Sequence, residues 1–265
     1  MINNNIVLFD MDGTLTEPRG KFNTELLLNL RQLSKYTEIG ILTGSDLNYI
    51  QSQMLKLIRF SEVRFVTHLL PCNGTKHLLP PIYSDDDFRL VHENNMENCL
   101  GKDCLREIMR TITQLQADVC YYDVPLTGHF VNYRGSMINW CPIGRNASSD
   151  QRREFMKYDE ETDFRIRFLL SLQHKLDTRC PGKVEVKLGG ETSFDIFPVG
   201  WDKTYALQHF KDKTCWFVGD RCEKDGNDYE IYEALKGEGR AFKTRSPLET
   251  GWIVNEEIIP KLKHP

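Results

Sequence analysis

Two aspartates stand two positions apart, directly after a short apolar segment of the chain. Asp10 and Asp12 follow Ile6–Phe9, and such a run is typical of a strand buried on both faces of a parallel sheet. Open α/β sheets bind ligands at the carboxyl ends of such strands. Because close carboxylates repel each other, the pair predicts a cation or a raised pKa. Gly13 permits a sharp turn and Thr14 can donate to a phosphate oxygen; the alternative is an Asp-Gly turn with capping side chains.

Two further segments could bind or neutralise an anion. Thr43 and Ser45 follow the apolar run Ile39–Leu42 and precede a predicted helix, so hydroxyls and backbone N–H groups would converge at its N-terminus. The alternative is a plain N-cap formed by Ser45 or Asp46. Lys203 also precedes a predicted helix and could offset the charge of both a nucleophile and a phosphate. The alternative for Lys203 is a surface lysine in a first helical turn.

A second acidic segment follows another apolar strand. Asp220 comes after the predicted strand Thr214–Val218, and Asn227 and Asp228 follow shortly afterwards. Acids at the ends of two separate strands can form the hard oxygen site that Mg²⁺ prefers. Each of the four segments is a weak signal alone, but together and in this order they indicate magnesium-dependent phosphoryl transfer.

The elements that must position these residues follow two different patterns. Strands and helices alternate up to a predicted third strand at Val63–Val66, and again after Trp201, which predicts an α/β sheet with crossover helices. Between about residues 84 and 197 the predicted strands lie too close together for crossovers, so that sheet should be largely antiparallel. Its predicted strands are Val119–Tyr122, His129–Tyr133, Met137–Cys141, Val184–Leu188 and Ser193–Phe197, with a helix over residues 149–174.

The change of pattern predicts a discontinuous core with an inserted domain. The core would comprise residues 1–82 and 199–265, and the insertion residues 83–198. A chain of 265 residues is long enough for one large domain or two modest ones. Hydrophobic residues make up 40% and charged residues 27%, which is ordinary for a globular protein.

Charge and cysteine usage argue against several classes of protein. The net charge of −4, without a block of basic residues, predicts no nucleic-acid partner. The polar residues Met1–Asn5 and the four apolar residues after them are expected to be neither a signal peptide nor a membrane span. The eight cysteines lack zinc-site spacing, and as free thiols they predict a reducing, cytoplasmic compartment.

The motifs resemble those of a known family. DxDGT, a Thr/Ser motif, a lysine and a GD…ND segment are similar to the four motifs of the haloacid dehalogenase superfamily. FDMDGTLTEPR, GSD, CNGT, YRGSMINWCPIGR, GGETSFDIFPVGWDK and GDRCEKDGND resemble eukaryotic-type phosphomannomutases in order and spacing. The resemblance runs from about Ile6 to Tyr232, except for residues 77–118. It implies a Rossmann-like core with an inserted α+β domain, the type IIB cap of that superfamily.

The resemblance implies roles for the acidic residues. Asp10 would attack phosphorus and form an aspartyl-phosphate, and Asp12 would act as general acid and then base on the sugar oxygen. Mg²⁺ would be held by Asp10, Asp220 and the main-chain carbonyl of Asp12. Asn227 and Asp228 would lie behind these ligands, in contact with them rather than with the ion.

The remaining residues implied by the resemblance bind the substrate or its phosphate. Arginine suits this role because its guanidinium makes bidentate contacts with phosphate, although any single arginine could instead be a solvated surface charge. The implied residues are Lys203, as a catalytic cation, and Arg19, Thr43, Ser45, Arg134, Arg145, Arg152, Ser193 and Asp195.

The implied activity is the interconversion of mannose 6-phosphate and mannose 1-phosphate, with a hexose 1,6-bisphosphate as activator. A role in GDP-mannose biosynthesis and a homodimer formed through the inserted domain follow from the same resemblance. The alternative is a sugar-phosphate phosphatase, favoured by Thr43, where the family usually has glycine, and by Arg221 and Asp225 in the Asp220 loop. A third possibility is a catalytically idle phosphosugar-binding protein, against which the set Asp10, Asp12, Lys203 and Asp220 argues.

Overall fold

A computed structural model describes residues 4–263, which form two compact units. The core unit takes in the chain up to Glu93 and from Asp202 onward, and the inserted unit runs from Asn94 to Trp201. The first boundary lies beyond the predicted residue 82, because the strand Arg89–Glu93 pairs with the strand Lys76–Leu79 in the sheet of the core unit.

The strands of both units are short, and most of them are buried. In chain order within residues 4–263 they are β1 (Asn5–Phe9), β2 (Glu38–Leu42), β3 (Thr67–Leu70), β4 (Lys76–Leu79), β5 (Arg89–Glu93), β6 (Val131–Tyr133), β7 (Ile138–Trp140), β8 (Val184–Gly189), β9 (Ser193–Pro198), β10 (Thr214–Gly219) and β11 (Ala241–Lys243).

The helices range from single turns to five turns. In the same part of the chain they are α1 (Thr24–Leu33), α2 (Leu47–Gln53), α3 (Leu55–Phe60), α4 (Met96–Leu100), α5 (Lys102–Val119), α6 (Ser149–Thr162), α7 (Phe164–Arg179), α8 (Tyr229–Lys236), α9 (Pro247–Trp252) and α10 (Ile259–Lys263). Segments of 3₁₀ helix cover Glu62–Val66, Cys72–Gly74 and Lys203–Phe210, and a π-helical turn covers Ile253–Ile258.

The core unit contains a seven-stranded sheet in the order β11-β10-β1-β2-β3-β4-β5. The first five strands in that order are parallel to one another. β4 pairs antiparallel with β3, and β5 pairs antiparallel with β4. The side chains of β1 alternate between two apolar clusters, Val7 and Phe9 in one and Ile6 and Leu8 in the other. Both faces of the strand are therefore buried, and the predicted α/β fold class is confirmed.

The inserted unit contains an antiparallel sheet in the order β6-β7-β9-β8. Its apolar face packs with α5 and α7 into one cluster that includes Trp140, Phe164 and Phe194. The strands predicted after residue 128 lie close to the observed ones. The predicted helix over residues 149–174 is instead two helices, α6 and α7, because Asp163 has a left-handed backbone (φ 53°) that ends the first.

Two predicted strands were wrong. Val119–Tyr122 is the end of α5 and the following turn, because Val119 continues the buried helical face of Ile108, Ile112 and Leu115. Val63–Val66 forms most of a 3₁₀ turn, because the Ser61 side chain accepts a hydrogen bond from the Val63 N–H and starts a helical segment. The strand then follows as β3.

The prediction of eight free thiols was wrong for one pair. Cys104 of α5 and Cys180, directly after α7, form a disulfide, with their Cα atoms 5.7 Å apart. The spacing of 76 residues hides this pairing, which arises because α5 and α7 pack together in the inserted unit. The other six cysteines, all of them in the described part of the chain, are free thiols.

A row of histidines lies in the core unit near β3, β4 and β5. His68 Nδ1 and His77 Nε2 are 2.9 Å apart, and the ring of His77 lies 4.7 Å from that of His209. Burial, together with the neighbouring imidazoles, lowers the pKa of His77 to about 3. The unfolded chain would bind a proton at this histidine below about pH 6.5, whereas the folded chain does so only near pH 3.

We therefore expect the contribution of His77 to the stability of the core unit to be lost as the pH falls below 6.5. The His77 contribution is about 2 kcal/mol between pH 7 and 4.5, after allowing for partial screening by solvent. In urea unfolding, lowering the pH from 7 to 4.5 should change the free energy of unfolding of His77→Gln less unfavourably, by about 2 kcal/mol, than that of the wild type. His174→Gln, at an exposed position, is the matched control. Equal pH dependence of the wild type and His77→Gln would contradict this expectation.

Candidate active site

The site begins where β1 ends. Asp10 is 4% exposed, and its backbone N–H donates to the Val218 carbonyl at the end of the neighbouring strand β10. Asp220 follows β10, so parallel pairing brings both acids to the same edge of the sheet. Gly13 has a φ of +83°, and a Cβ atom at this position would collide with the Asp220 carboxylate.

A buried lysine joins two of the acids. Lys203 is 1% exposed, contacts Asp10 Oδ1 and lies 2.5 Å from Asp228 Oδ1. It follows Asp202, whose side chain caps the 3₁₀ helix by accepting from the Thr204 N–H. Burial opposes the charge of Lys203, but Asp10 and Asp228 outweigh it and raise the pKa of the lysine above its usual value. The lysine is therefore a fixed positive charge in the site.

Three carboxylates meet in this volume. Asp10, Asp220 and Asp228 each offer an oxygen, and these oxygens lie within 4.8 Å of one another. Burial, with a contribution from Asp228, raises the pKa of Asp220 to about 6. Burial raises the pKa of Asp10 as well, and Lys203 only partly opposes this effect. The single positive charge of the lysine therefore does not balance the negative charges of the three carboxylates when they are ionised.

A divalent cation fits this arrangement. Hard oxygen donors in a compact group are the ligands that Mg²⁺ takes, and the buried Asn227 Oδ1 has no hydrogen-bond partner among residues 4–263. Asp228 was predicted to lie behind the ligands, and its carboxylate lies close to those of Asp10 and Asp220 and contacts Lys203. The Asp12 carboxylate lies outside this group, which is compatible with the predicted role of its carbonyl.

Magnesium affinity is expected to depend on pH, because the ion displaces protons from ligands whose pKa is raised. With the pKa of Asp220 at about 6, the Kd for Mg²⁺ should rise about tenfold between pH 7 and 5. Calorimetric titrations at these pH values should also show proton release on binding at pH 5. Asp220→Asn should bind the ion more weakly and with a smaller pH dependence. Wild-type affinity that is the same at both pH values would contradict the metal site.

The predicted phosphate-binding hydroxyls differ in their environments. The Thr14 Oγ1 is buried and has no partner among the described residues, so it is available to donate to an anion. The Thr43 Oγ1 accepts a hydrogen bond from the Ser45 N–H at 3.1 Å, which supports the turn before α2. Asp46 is the N-cap of α2 and accepts from the Tyr49 N–H. The alternative of a plain N-cap therefore holds for Asp46, and Thr43 and Ser45 shape the turn before it.

Asp12 is held by two donors that converge on one oxygen. The Tyr49 hydroxyl and the backbone N–H of Arg19 each donate to Asp12 Oδ1 at 2.9 Å. The Arg19 side chain, predicted to bind substrate, is exposed, and its residue has a left-handed backbone (φ 59°). Tyr49 was not predicted, since a tyrosine inside a helical segment carries no sequence signal for this contact.

The predicted residues of the inserted unit come together around β7 and β9. Arg145 donates to Asn139 Oδ1 at 2.6 Å, and Arg152 donates to the Thr192 hydroxyl at 2.7 Å. Arg134 Nη1 lies 3.9 Å from Asp195 Oδ1. Three guanidinium groups from separate segments of the chain therefore contact β7, β9 or the residue that precedes β9.

Asn139 connects these groups and was missed by the sequence analysis. It is 3% exposed, and its Nδ2 donates to Ser193 Oγ at 2.9 Å and to Asp195 Oδ1 at 2.8 Å. The register of the β7–β9 pair places Asn139 directly opposite Asp195. The available signal was a single amide between the apolar residues Ile138 and Trp140 of a predicted strand, a position where burial requires hydrogen-bond partners.

The chain is similar to proteins of one family over most of its length. A family model described as eukaryotic phosphomannomutase matches residues 25–259. A phosphomannomutase of Arabidopsis thaliana is 36% identical over 253 residues, which cover 92% of this chain and 93% of that protein. Phosphomannomutase 1 of Dictyostelium discoideum is 35% identical over 260 residues, 97% of each chain.

Similarity to solved structures concerns the fold. The structure of an IMP-bound mutant IMP-nucleotidase of Plasmodium falciparum has a TM-score of 0.66 and 15% sequence identity, and covers 98% of this chain and 68% of that one. At this identity the comparison shows a shared α/β fold and nothing about activity. The family match and the curated relatives go further, and together with the acidic site at the ends of β1 and β10 they identify the chain. It belongs to the eukaryotic phosphomannomutase family, enzymes of the isomerase class that transfer a phosphoryl group within their substrate.

Proposed function

We propose that the enzyme interconverts mannose 6-phosphate and mannose 1-phosphate through a phosphorylated Asp10. The observation that carries the proposal is the position of Asp10, buried at the end of β1 beside Lys203, Asp220 and Asp228. This arrangement supplies a nucleophile, a fixed cation and a place for a metal ion. The names of the curated relatives support mannose phosphates as the substrates.

The reaction requires two transfers of the same group. An oxygen of Asp10 attacks one phosphorus of a hexose 1,6-bisphosphate, the bond to the sugar oxygen breaks, and Asp12 gives that oxygen a proton. The resulting hexose monophosphate leaves, and the isomer with its phosphate at the other position binds. The free hydroxyl of this isomer attacks the aspartyl-phosphate and gives its proton to Asp12. This step regenerates Asp10 and the bisphosphate.

The charges of the site suit this chemistry. Lys203 is expected to stabilise the negative charge on the transferring group, since it is buried and stays protonated. Thr14 would donate its hydroxyl to the same group. Asp10, Asp220 and Asp228, with the carbonyl of Asp12, would hold Mg²⁺, which offsets charge on the phosphoryl oxygens when bound.

The arginines of the inserted unit would bind the phosphate that is not transferred. Arg145→Ala should lower kcat/KM for mannose 1-phosphate about a hundredfold, because charged hydrogen bonds to phosphate are lost. Arg153→Ala is the matched control, since Arg153 is exposed and pairs with Asp150 one helical turn away. Steady-state kinetics that are unchanged in Arg145→Ala would exclude this role for Arg145.

The function itself is tested by incubating the protein with mannose 1-phosphate, magnesium and catalytic glucose 1,6-bisphosphate, followed by phosphorus NMR. Appearance of mannose 6-phosphate that depends on the bisphosphate, with little free phosphate, is the expected result. Accumulation of inorganic phosphate without mannose 6-phosphate would instead indicate the sugar-phosphate phosphatase.

The assembly and location stay predictions. A homodimer formed through the inserted unit would be seen by sedimentation equilibrium, and a cytoplasmic location by cell fractionation. Within residues 4–263, no helix is both long and apolar enough to span a membrane.

A further inference from the structure

The Tyr49 hydroxyl contacts Asp12, the residue to which the proposed function assigns proton transfer. The Tyr49 hydroxyl and the Arg19 N–H donate to the same carboxylate oxygen, Oδ1, each at 2.9 Å. Among the described residues, no further donor contacts the second oxygen, Oδ2. The geometry therefore fixes the Asp12 carboxylate by one oxygen and leaves the other for proton exchange.

The phenol itself is held in place by its surroundings. The Tyr49 N–H donates to the capping side chain of Asp46 at 2.9 Å, which fixes the first turn of α2. The ring packs against the apolar cluster of the core unit that contains Phe9 and Met11. Backbone, ring and hydroxyl are thus all restrained, and the hydroxyl is directed at the carboxylate from a rigid support.

We propose that Tyr49 is a positioning residue for proton transfer, which holds Asp12 by Oδ1 so that Oδ2 faces the sugar oxygen. The proposal rests on the proposed function, in which Asp12 gives a proton to the departing sugar oxygen and takes one from the attacking hydroxyl. Tyr49 keeps its own proton in both steps. Its effect is on the orientation of the carboxylate, and proton transfer is sensitive to orientation because donor and acceptor must come within hydrogen-bond distance.

This role of Tyr49 predicts a large effect on turnover and a small effect on substrate binding. Tyr49→Phe keeps the ring and its packing but removes the hydroxyl, so that of the two described donors to Asp12 Oδ1 the Arg19 N–H remains. We expect kcat of the mutase reaction to fall about tenfold to a hundredfold, with KM within about a factor of two of the wild-type value. Tyr36→Phe, which changes a tyrosine in the turn between α1 and β2, is the matched control.

A double-mutant cycle shows whether Tyr49 acts through Asp12. The rate of Asp10 phosphorylation by glucose 1,6-bisphosphate is measured in single turnovers for the wild type, Tyr49→Phe, Asp12→Ala and the double variant. If Tyr49 positions Asp12, its substitution should cost less than about twofold once Asp12 is absent. The Tm of each protein, measured by thermal unfolding, shows whether a substitution also affects the stability of the fold.

Each result of the cycle either supports or overturns the proposal for Tyr49. A large loss in Tyr49→Phe that disappears in the Asp12→Ala background supports the proposal. An equal loss in both backgrounds means that Tyr49 acts on the fold of the site and overturns it, as does unchanged turnover in Tyr49→Phe. Failure of the proposed function would appear separately, as a wild-type protein that forms no mannose 6-phosphate, and the phosphorylation cycle would still be measurable.

Discussion

Asp10→Asn is expected to lower mutase turnover by about 10⁴-fold or more while leaving the fold intact. The amide cannot form the aspartyl-phosphate, so the reaction loses its covalent intermediate. Stability should change little, because the buried Asp10 carboxylate, whose pKa burial raises, lies beside Asp220 and Asp228. Removing this charge relieves repulsion between the acids, while Lys203 keeps its ion pair with Asp228. Turnover is measured by phosphorus NMR and stability by urea unfolding.

A phosphoryl mimic gives this prediction an independent readout. Beryllium fluoride with magnesium should raise the Tm of the wild type, since it forms a stable analogue of the aspartyl-phosphate on Asp10. The same addition should leave the Tm of Asp10→Asn unchanged. Asp212→Asn, at an exposed position of the core unit, is the control and should respond like the wild type. Substantial turnover in Asp10→Asn would exclude Asp10 as the nucleophile.

Lys203→Met is expected to lower both activity and stability. The lysine is the buried cation between Asp10 and Asp228, and loss of one partner from a buried ion pair typically costs about 3 kcal/mol or more. Turnover should fall about 10³-fold, because the variant lacks the buried positive charge that stabilises the negative charge on the transferring phosphoryl group. Urea unfolding of the metal-free protein and phosphorus NMR measure the two effects.

The loss of stability in Lys203→Met is expected to increase with pH. Carboxylates whose pKa is raised by folding stabilise the folded state at low pH, and that contribution is lost as the pH rises through the raised pKa. The pKa values of Asp10 and Asp220 are already raised with the lysine present. The destabilisation should therefore be larger at pH 8 than at pH 5.5, and magnesium should reduce it. Lys211→Met, in an exposed position, is the control; equal stability of the Lys203 variant and the wild type would contradict the role of this ion pair.

Local patterns in the chain were sufficient to predict much of the fold. β1 and β2 were predicted because continuous apolar runs of four residues end at polar groups. β8 and β9 were predicted as part of an antiparallel sheet because their segments lie too close together for crossover helices. Val119–Tyr122 was misread because four residues cannot distinguish a strand from the last turn of a helix. The buried face of α5 becomes evident over its full 18 residues.

The sequence by itself determined the family and predicted the position of the nucleophile and the ligand chemistry, because acids and glycines at the ends of apolar strands carry local signals. Only the tertiary structure showed that Lys203 is buried against Asp10, 193 residues away, and that the carboxylate of Asp228 lies close to those of Asp10 and Asp220. The Tyr49 contact with Asp12 and the hydrogen bonds of Asn139 also depend on packing. The physical reason is that charge pairing and burial are set by the distances between elements far apart in the chain, about which local residue patterns carry no information.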